Sequence, residues 1–190
     1  MSGIISASCT TYIGVANYIT QSKQPFSIYS YKLVLAHLYR FLLNLIIFLL
    51  VIFSYSEISS INLTGALIAL LIFIFMGFAL SIIIGYLTLK SRDIQMVIEN
   101  VMRIAFFVTP VIWFDQVMID LSAKSLNIAA KAAYLDYNPL YHYLNVMRSP
   151  LLGLDLPSHS LNIVLMTTTL SFVVAVFILN KYQHKIPYLI

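Results

Sequence analysis

From Phe41 to Phe53 every residue is apolar except Asn44. It is the clearest of several long apolar blocks, and such blocks mark a chain whose surroundings are lipid. At about −0.3 to −0.6 kcal/mol per Leu, Ile, Phe or Val, this block alone outweighs the roughly +3 kcal/mol of one central Arg. Composition agrees. The 190 residues are 61% hydrophobic and 9% charged, where a soluble domain carries about 25% charged residues. So few charges cannot clothe a globule in water.

The blocks predict an all-α integral membrane protein with four full transmembrane helices, at 33–53, 64–89, 94–113 and 161–180. Each is near the roughly 20 residues that cross the hydrocarbon. Residues 1–20 are uncharged and only mildly apolar, interrupted by Ser, Thr, Gly, Cys and Asn. They read as the remnant of a further transmembrane helix, a partial N-terminal one. A signal peptide is rejected, because no basic region precedes Ser6-Ala7-Ser8-Cys9. Arg40 is expected near the end of its span, from where its side chain snorkels.

Lysine and arginine set the orientation. Lys23 and Lys32 precede the first strong span, the 54–63 loop has neither residue, and Lys90 and Arg92 follow the second span. The tail carries Lys181 and Lys185. Short loops thus alternate basic, bare and basic, which places 21–32, 90–93 and the C-terminus in the cytoplasm. Residues 54–63 and 115–160 then face outward, with short re-entrant or interfacial helices on that side. The net charge of +4 serves topology here, not nucleic-acid binding. Asn62-Leu63-Thr64 matches a glycosylation sequon, but a helix cap at Asn62 or Thr64 is the better reading.

Several polar or small residues inside the spans are candidates for function. His37, Arg40 and Asn44 share one face at spacings of three and four. They either snorkel or line a wet cavity, since charged groups within spans favour the bundle interior. Glu99 and Arg103 stand i, i+4 with the acid first, a spacing that predicts an ion pair. Gly77, Ser81 and Gly85 form a small-residue stripe for a close neighbour, either intramolecular or across a subunit interface. Pro110 bends the third span near its outer end. Trp113 and the cluster Tyr134, Tyr137, Tyr141 and Tyr143 suit either an interfacial aromatic belt or a surface for stacking sugar rings. His142 and His159 are read as isolated.

Absences narrow the chemistry. No P-loop motif occurs, so the chain does not bind ATP in that way. No H-E-x-x-H, G-x-S-x-G or Cys/His cluster occurs either, so no catalytic residue, metal site or cofactor is expected. Cys9 stands alone, which excludes an internal disulfide.

The ordered motifs resemble the ABC-2 type transporter permease family, in the branch exporting O-antigen, capsule or teichoic-acid polymers. They begin with Lys23-Gln24-Pro25 before Phe26-Ser27, Ser91-Arg92-Asp93-Ile94 at the third span, and Phe106 to Trp113. Asn138-Pro139-Leu140-Tyr141 with Arg148, Leu151-Leu152-Gly153, and Lys185-Ile186-Pro187-Tyr188 complete the set. Each is weak alone, but the order covers nearly the whole chain.

The resemblance implies a permease that dimerises in the bacterial inner membrane and docks a separate ATP-binding cassette subunit. A segment at 18–32 would be the cytoplasmic coupling helix, with Tyr18, Lys23, Gln24 and Pro25 receiving the push of that subunit. Residues 114–160 would form the outer gate segment. His37, Arg40, Asn44, Glu99, Arg103, Pro110, Trp113, Tyr141 and Arg148 are the candidates for the translocation path or gate. The substrate would be a lipid-linked polysaccharide, with O-antigen as the leading expectation. The family pattern also implies an interfacial helix, a first span and half of a second before Met1, so a truncated or mis-started chain is expected. A membrane enzyme acting on lipid-linked sugars, or an inactive truncated permease fragment, are the alternative readings.

Overall fold

The structure, a computed structural model, describes residues 2–15, 25–54, 62–109 and 137–182. Tyr18, Lys23, Gln24, Pro110, Trp113 and Tyr134 lie outside the described residues, as do most of the 114–160 segment up to 136 and the tail from 183.

The described residues form helices and connecting turns. They are α1 (Ser2–Ser8) with a following 3-10 turn (Ile13–Val15), α2 (Ser27–Ser54), α3 (Leu63–Lys90), α4 (Ile94–Val108), α5 (Pro139–Leu151) and α6 (Ser158–Tyr182). Three segments are long and apolar enough to cross a membrane: Ser27–Leu50, Leu63–Lys90 and Ser158–Tyr182. The chain is therefore an all-helical membrane protein with three such helices among its described residues. The fourth expected span is represented by α4, whose 15 residues reach only about 22 Å at 1.5 Å per residue.

The helix ends follow local rules. Asn62 accepts the Gly65 N–H at 3.0 Å and caps α3, which is the capping reading of the sequon. Asn138 accepts the Leu140 N–H at 3.0 Å, with Pro139 in the first turn of α5. α4 ends because Thr109 precedes a proline. Its ψ of 135° is the extended conformation that proline imposes on the residue before it. α5 closes on Gly153, φ 76°. There the Leu154 N–H reaches Ser149 O at 2.9 Å and the Gly153 N–H reaches Pro150 O at 3.2 Å.

Helix α3 is the hub. It is apolar all round, and it buries residues along most of its length, from Gly65 to Leu89. α6 lies beside it in the same direction: Phe75 meets Phe172 and Tyr86 stacks on Tyr182 at 5.1 Å. α5 runs the opposite way. Its start is tied to the end of α4 by Asn138 Nδ2 donating to Thr109 Oγ1 at 3.0 Å. Its far end meets the start of α3, where the Asn62 N–H donates to Pro150 O at 3.0 Å. α5 thus climbs from mid-depth to the Asn62 end of the bundle.

The small-residue stripe on α3 receives residues 2–15 of the same chain. Ile4 sits over Gly77, and the Tyr12 ring lies over Gly85. Tyr12 shares a 3.0 Å hydrogen bond with Ser30, so this one buried side chain locks the N-terminal segment to both α2 and α3. The Ser, Thr and Cys side chains of the segment are tolerated in apolar surroundings because they bond back to the helix. Ser8 Oγ donates to Ile4 O at 2.6 Å, Thr11 Oγ1 to Ala7 O at 3.1 Å and Cys9 Sγ to Ile5 O at 3.5 Å.

One depth differs from expectation. Arg40 is not near the end of its helix. α2 has 28 residues, and Arg40 lies at its midpoint, about 20 Å from either end at 1.5 Å per residue. Its neighbours on α3 lie toward the Asn62 end, because Val34 faces Gly77, near the middle of α3, while His37 and Phe41 share a cavity with Leu70, Phe73 and Ile74. The apolar run beginning at Phe41 makes Arg40 look like a border in sequence. The helix actually starts at Ser27.

Candidate functional site

α1 is wedged between α2 and α4, with α3 behind it. A Cβ on Gly3 would lie 3.5 Å from the His37 ring, which fixes how closely α1 and α2 approach. On the other flank Ser2 and Ser6 share an open groove of about 400 Å³ with Glu99, Met102, Arg103, Phe106 and Phe107. A second cavity of about 220 Å³ reaches deeper, between Ser2, Phe73, Phe106, Thr109, Leu140 and Tyr143. A third, of about 210 Å³, lies on the α2 side of Gly3 and includes His37.

This arrangement brings together three of the sequence candidates, His37, Glu99 and Arg103. His37 touches α1, whereas Arg40 and Asn44 follow it along α2, exposed and outside the linings of these cavities. Glu99 and Arg103 lie on the α4 side of the same short helix. The hydroxyl-bearing α1 bridges them, with Ser2 and Thr10 exposed and Ser6 half-buried. The result is a set of polar groups on the two flanks of α1, among described residues whose surface is rich in exposed Leu, Ile, Val and Phe.

Two local details differ from the sequence reading. Glu99 does not pair with Arg103. Its Oε1 accepts from Gln95 Nε2 at 3.0 Å, an i, i+4 contact on the opposite side of Glu99. Arg103 is left exposed in the groove. Asn44 is turned back into its own helix, with Nδ2 donating to Arg40 O at 3.0 Å.

Other candidates stand apart. Pro25 is exposed before α2, and its carbonyl accepts the Ile28 N–H at 3.1 Å. Tyr141 packs edge-on against His142 at 5.3 Å, and Arg148 lies in the last turn of α5, where a cation suits the helix dipole. Both belong to the α5–α6 hairpin, away from these polar groups.

The hairpin also corrects the reading of His142 and His159 as isolated. Their rings lie 5.8 Å apart. His142 is 1% exposed, and its Nδ1 meets Ser160 Oγ at 3.0 Å. Asn145 Nδ2 donates to the same hydroxyl at 3.3 Å, and Ser149 Oγ donates to Asn145 Oδ1 at 3.1 Å. One turn away, Tyr143 OH meets Thr168 Oγ1 at 2.7 Å and Thr167 Oγ1 at 3.0 Å. The available signal was the spacing of His142, Asn145 and Ser149 on one helical face. These contacts fasten α5 to α6.

No protein-family model matches this chain, and no curated protein matches it.

What the polar groups beside α1 can do follows from their chemistry. Polar and charged groups at membrane depth face protein or water, because lipid cannot hydrogen-bond them. Donors (Arg103, Ser2, Ser6) and an acceptor (Glu99) line the groove together, and the Phe106 and Phe107 rings flank it. Such a wall offers hydrogen bonds and flat apolar surface to a polyhydroxylated chain. Among the described residues no group of three His, Cys, Asp or Glu could hold a metal ion.

Proposed function

We propose that this chain is the membrane-embedded subunit of an ABC-2 type exporter that moves a lipid-linked polysaccharide, O-antigen first among the candidates. The observation that carries the reading is the set of polar groups flanking α1, with His37 on one side and Glu99 and Arg103 on the other. A bundle whose only task was to fold in lipid gains nothing from an arginine within such a helix. Each charge at the bilayer centre costs at least about 2.5–3.5 kcal/mol on insertion scales. A path wetted by a hydrophilic substrate removes that cost. The ordered motifs resembling this permease family add to it, as does the lack of an ATP-binding loop in the sequence.

In this reading the chain does no chemistry of its own. A separate ATP-binding cassette subunit hydrolyses ATP and pushes on the segment ending at Pro25. Two copies of the permease stand side by side in the bacterial inner membrane, with the Lys90 end and the C-terminus in the cytoplasm. The climb of α5 from mid-depth toward the Asn62 end makes it the inner wall of an exit on the outer side.

The test is genetic and biochemical. Removing the chain from cells that make it should abolish the surface polysaccharide and trap lipid-linked polymer at the inner face, where a lectin reaches it only after permeabilisation. Re-expression should restore display, and a Pro25→Ala variant that inserts normally should restore it poorly. Unchanged surface polysaccharide in the deletion strain would overturn the reading.

A further inference from the structure

α3 and α6 lie side by side and end together. Tyr86 stacks on Tyr182 at 5.1 Å, with Lys90 one turn beyond the first and Lys181 beside the second. Lys90, Arg92 and Lys181 are exposed at this end and contribute +3, and the neighbouring Asp93 contributes −1, a net of +2. Two helix C-termini offset about one charge, at roughly −0.5 each, so the end stays positive. The first turns of both helices, at the opposite end, hold no Lys or Arg.

A groove of about 280 Å³ runs along the joint between the same two helices. Phe75 and Phe172, edge-on at 6.0 Å, form one wall. Thr168 and Thr169 also line it, but their hydroxyls are engaged within the protein. Thr168 Oγ1 meets Tyr143 OH at 2.7 Å, and Thr169 Oγ1 donates to Leu165 O at 2.8 Å. What remains is apolar surface, with Phe75 54% and Val173 60% exposed. Such a groove suits hydrocarbon, because a polar occupant would lose its hydrogen bonds there.

One ridge joins the charge to the groove. Thr169, Val173, Phe177 and Lys181 recur at every fourth position of α6, and Lys181 Nζ lies 5.2 Å from the centre of the Phe177 ring. The lengths agree. Measured from Lys181 at 1.5 Å per residue, the groove begins near Val173, about 12 Å along the helix, and reaches Leu165, about 24 Å along it. One leaflet holds about 15 Å of hydrocarbon, half of the roughly 30 Å core. An acyl chain that starts beside Lys181 therefore ends inside the groove.

We propose that the α3–α6 groove binds an anionic phospholipid of the leaflet at the Lys90 end, with its phosphate between Lys90 and Lys181 and one acyl chain along the groove. Lysine suits this role, because a point charge on a flexible stem follows a mobile headgroup. The site is separate from the groups flanking α1 and independent of what the chain exports.

The experiment uses the full chain purified in uncharged dodecyl maltoside. Dioleoyl phosphatidylglycerol and dioleoyl phosphatidylcholine share their chains and differ in net charge. Each is titrated in, and bound copies are counted by native mass spectrometry. The wild type should retain phosphatidylglycerol about 20-fold more tightly, roughly fivefold for each lysine. The double variant Lys90→Gln, Lys181→Gln should bring phosphatidylglycerol down to the phosphatidylcholine level. Val173→Trp fills the groove and should weaken both lipids several-fold. Lys32→Gln makes the same change of charge on α2, whose neighbours are α1 and α3, and should alter neither. Equal retention of the two lipids by the wild type overturns the proposal, as does a loss in Lys32→Gln as large as in the double variant, with helical content unchanged by circular dichroism. Full retention of both lipids by Val173→Trp overturns the placement of the chain in the groove. Displacement of phosphatidylglycerol by inorganic phosphate would mark a phosphate site that needs no lipid, and exclusion of lipid as the protein is concentrated would mark a second copy of the chain as the occupant; either result overturns the proposal.

Discussion

Replacing Gly85 by alanine tests the most tightly constrained contact in the bundle. A Cβ at this position would lie 2.6 Å from Tyr12 Cε2 and 2.8 Å from Cδ2, where carbon atoms sit comfortably at about 3.5–4.0 Å. The ring must therefore retreat by about 1 Å, and it has nowhere easy to go. Tyr12 is 1% exposed, meets Phe26 edge-on at 6.3 Å and holds Ser30 through its hydroxyl. Forcing extra volume into a filled site costs about 1–3 kcal/mol, and losing the hydroxyl contact adds about 0.5–1.5 kcal/mol. Against this, alanine is the better helix former by about 1 kcal/mol. The net expectation is a loss of about 1–3 kcal/mol. Gly77→Ala is the control, because its new Cβ would be tight only against the tip of Ile4 at 3.2 Å, with Val34 at an ordinary 3.8 Å. That tip can swing aside, so the helix-propensity gain should leave Gly77→Ala neutral or slightly more stable. The assay is unfolding of the full chain in mixed micelles by titration with sodium dodecyl sulfate. It should be repeated in a Tyr12→Ala background, where Gly85→Ala should become neutral or stabilising. If Gly85→Ala and Gly77→Ala behave alike, or if Tyr12→Ala fails to relieve the cost, the packing argument is wrong.

Two further predictions follow from named contacts. Tyr143→Phe removes the hydroxyl that meets Thr167 and Thr168 and should cost about 1–3 kcal/mol in the same unfolding assay; a change below about 0.3 kcal/mol would show that those threonines are content with their own helix. Arg40→Leu should make isolated α2 insert more readily, by up to about 3 kcal/mol if the arginine is central. Glycosylation mapping in microsomes reads this, and unaltered insertion would return Arg40 to the edge of its span.

Local rules carried much of the fold from the sequence. The apolar blocks around 33–53, 64–89 and 161–180 become three helices long enough to cross a membrane, because hydropathy and length are properties of a segment alone. Asn62 acts as the cap its sequon position suggested, because capping depends on neighbours in the chain; the cap at Asn138 and the end of α4 at Val108, where only a bend at Pro110 was expected, came with the structure. The fourth block was less legible. Its described helix is short, since the proline that marks the span in sequence also stops it.

What only the tertiary structure decided is a matter of which helix lies beside which, and at what height. Arg40 looks like a border beside the apolar run that follows it, but α2 starts at Ser27 and leaves it at the helix midpoint. Glu99 had two i, i+4 partners to choose from, Gln95 and Arg103, and spacing alone could not say which it would take. His142 was unremarkable until the return of α6 buried it against Ser160. The glycines of α3 announced a close neighbour without naming it, and packing supplied Tyr12. The polar groups flank one helix because α1 slots between α2 and α4, an adjacency of elements distant in sequence that no periodicity encodes.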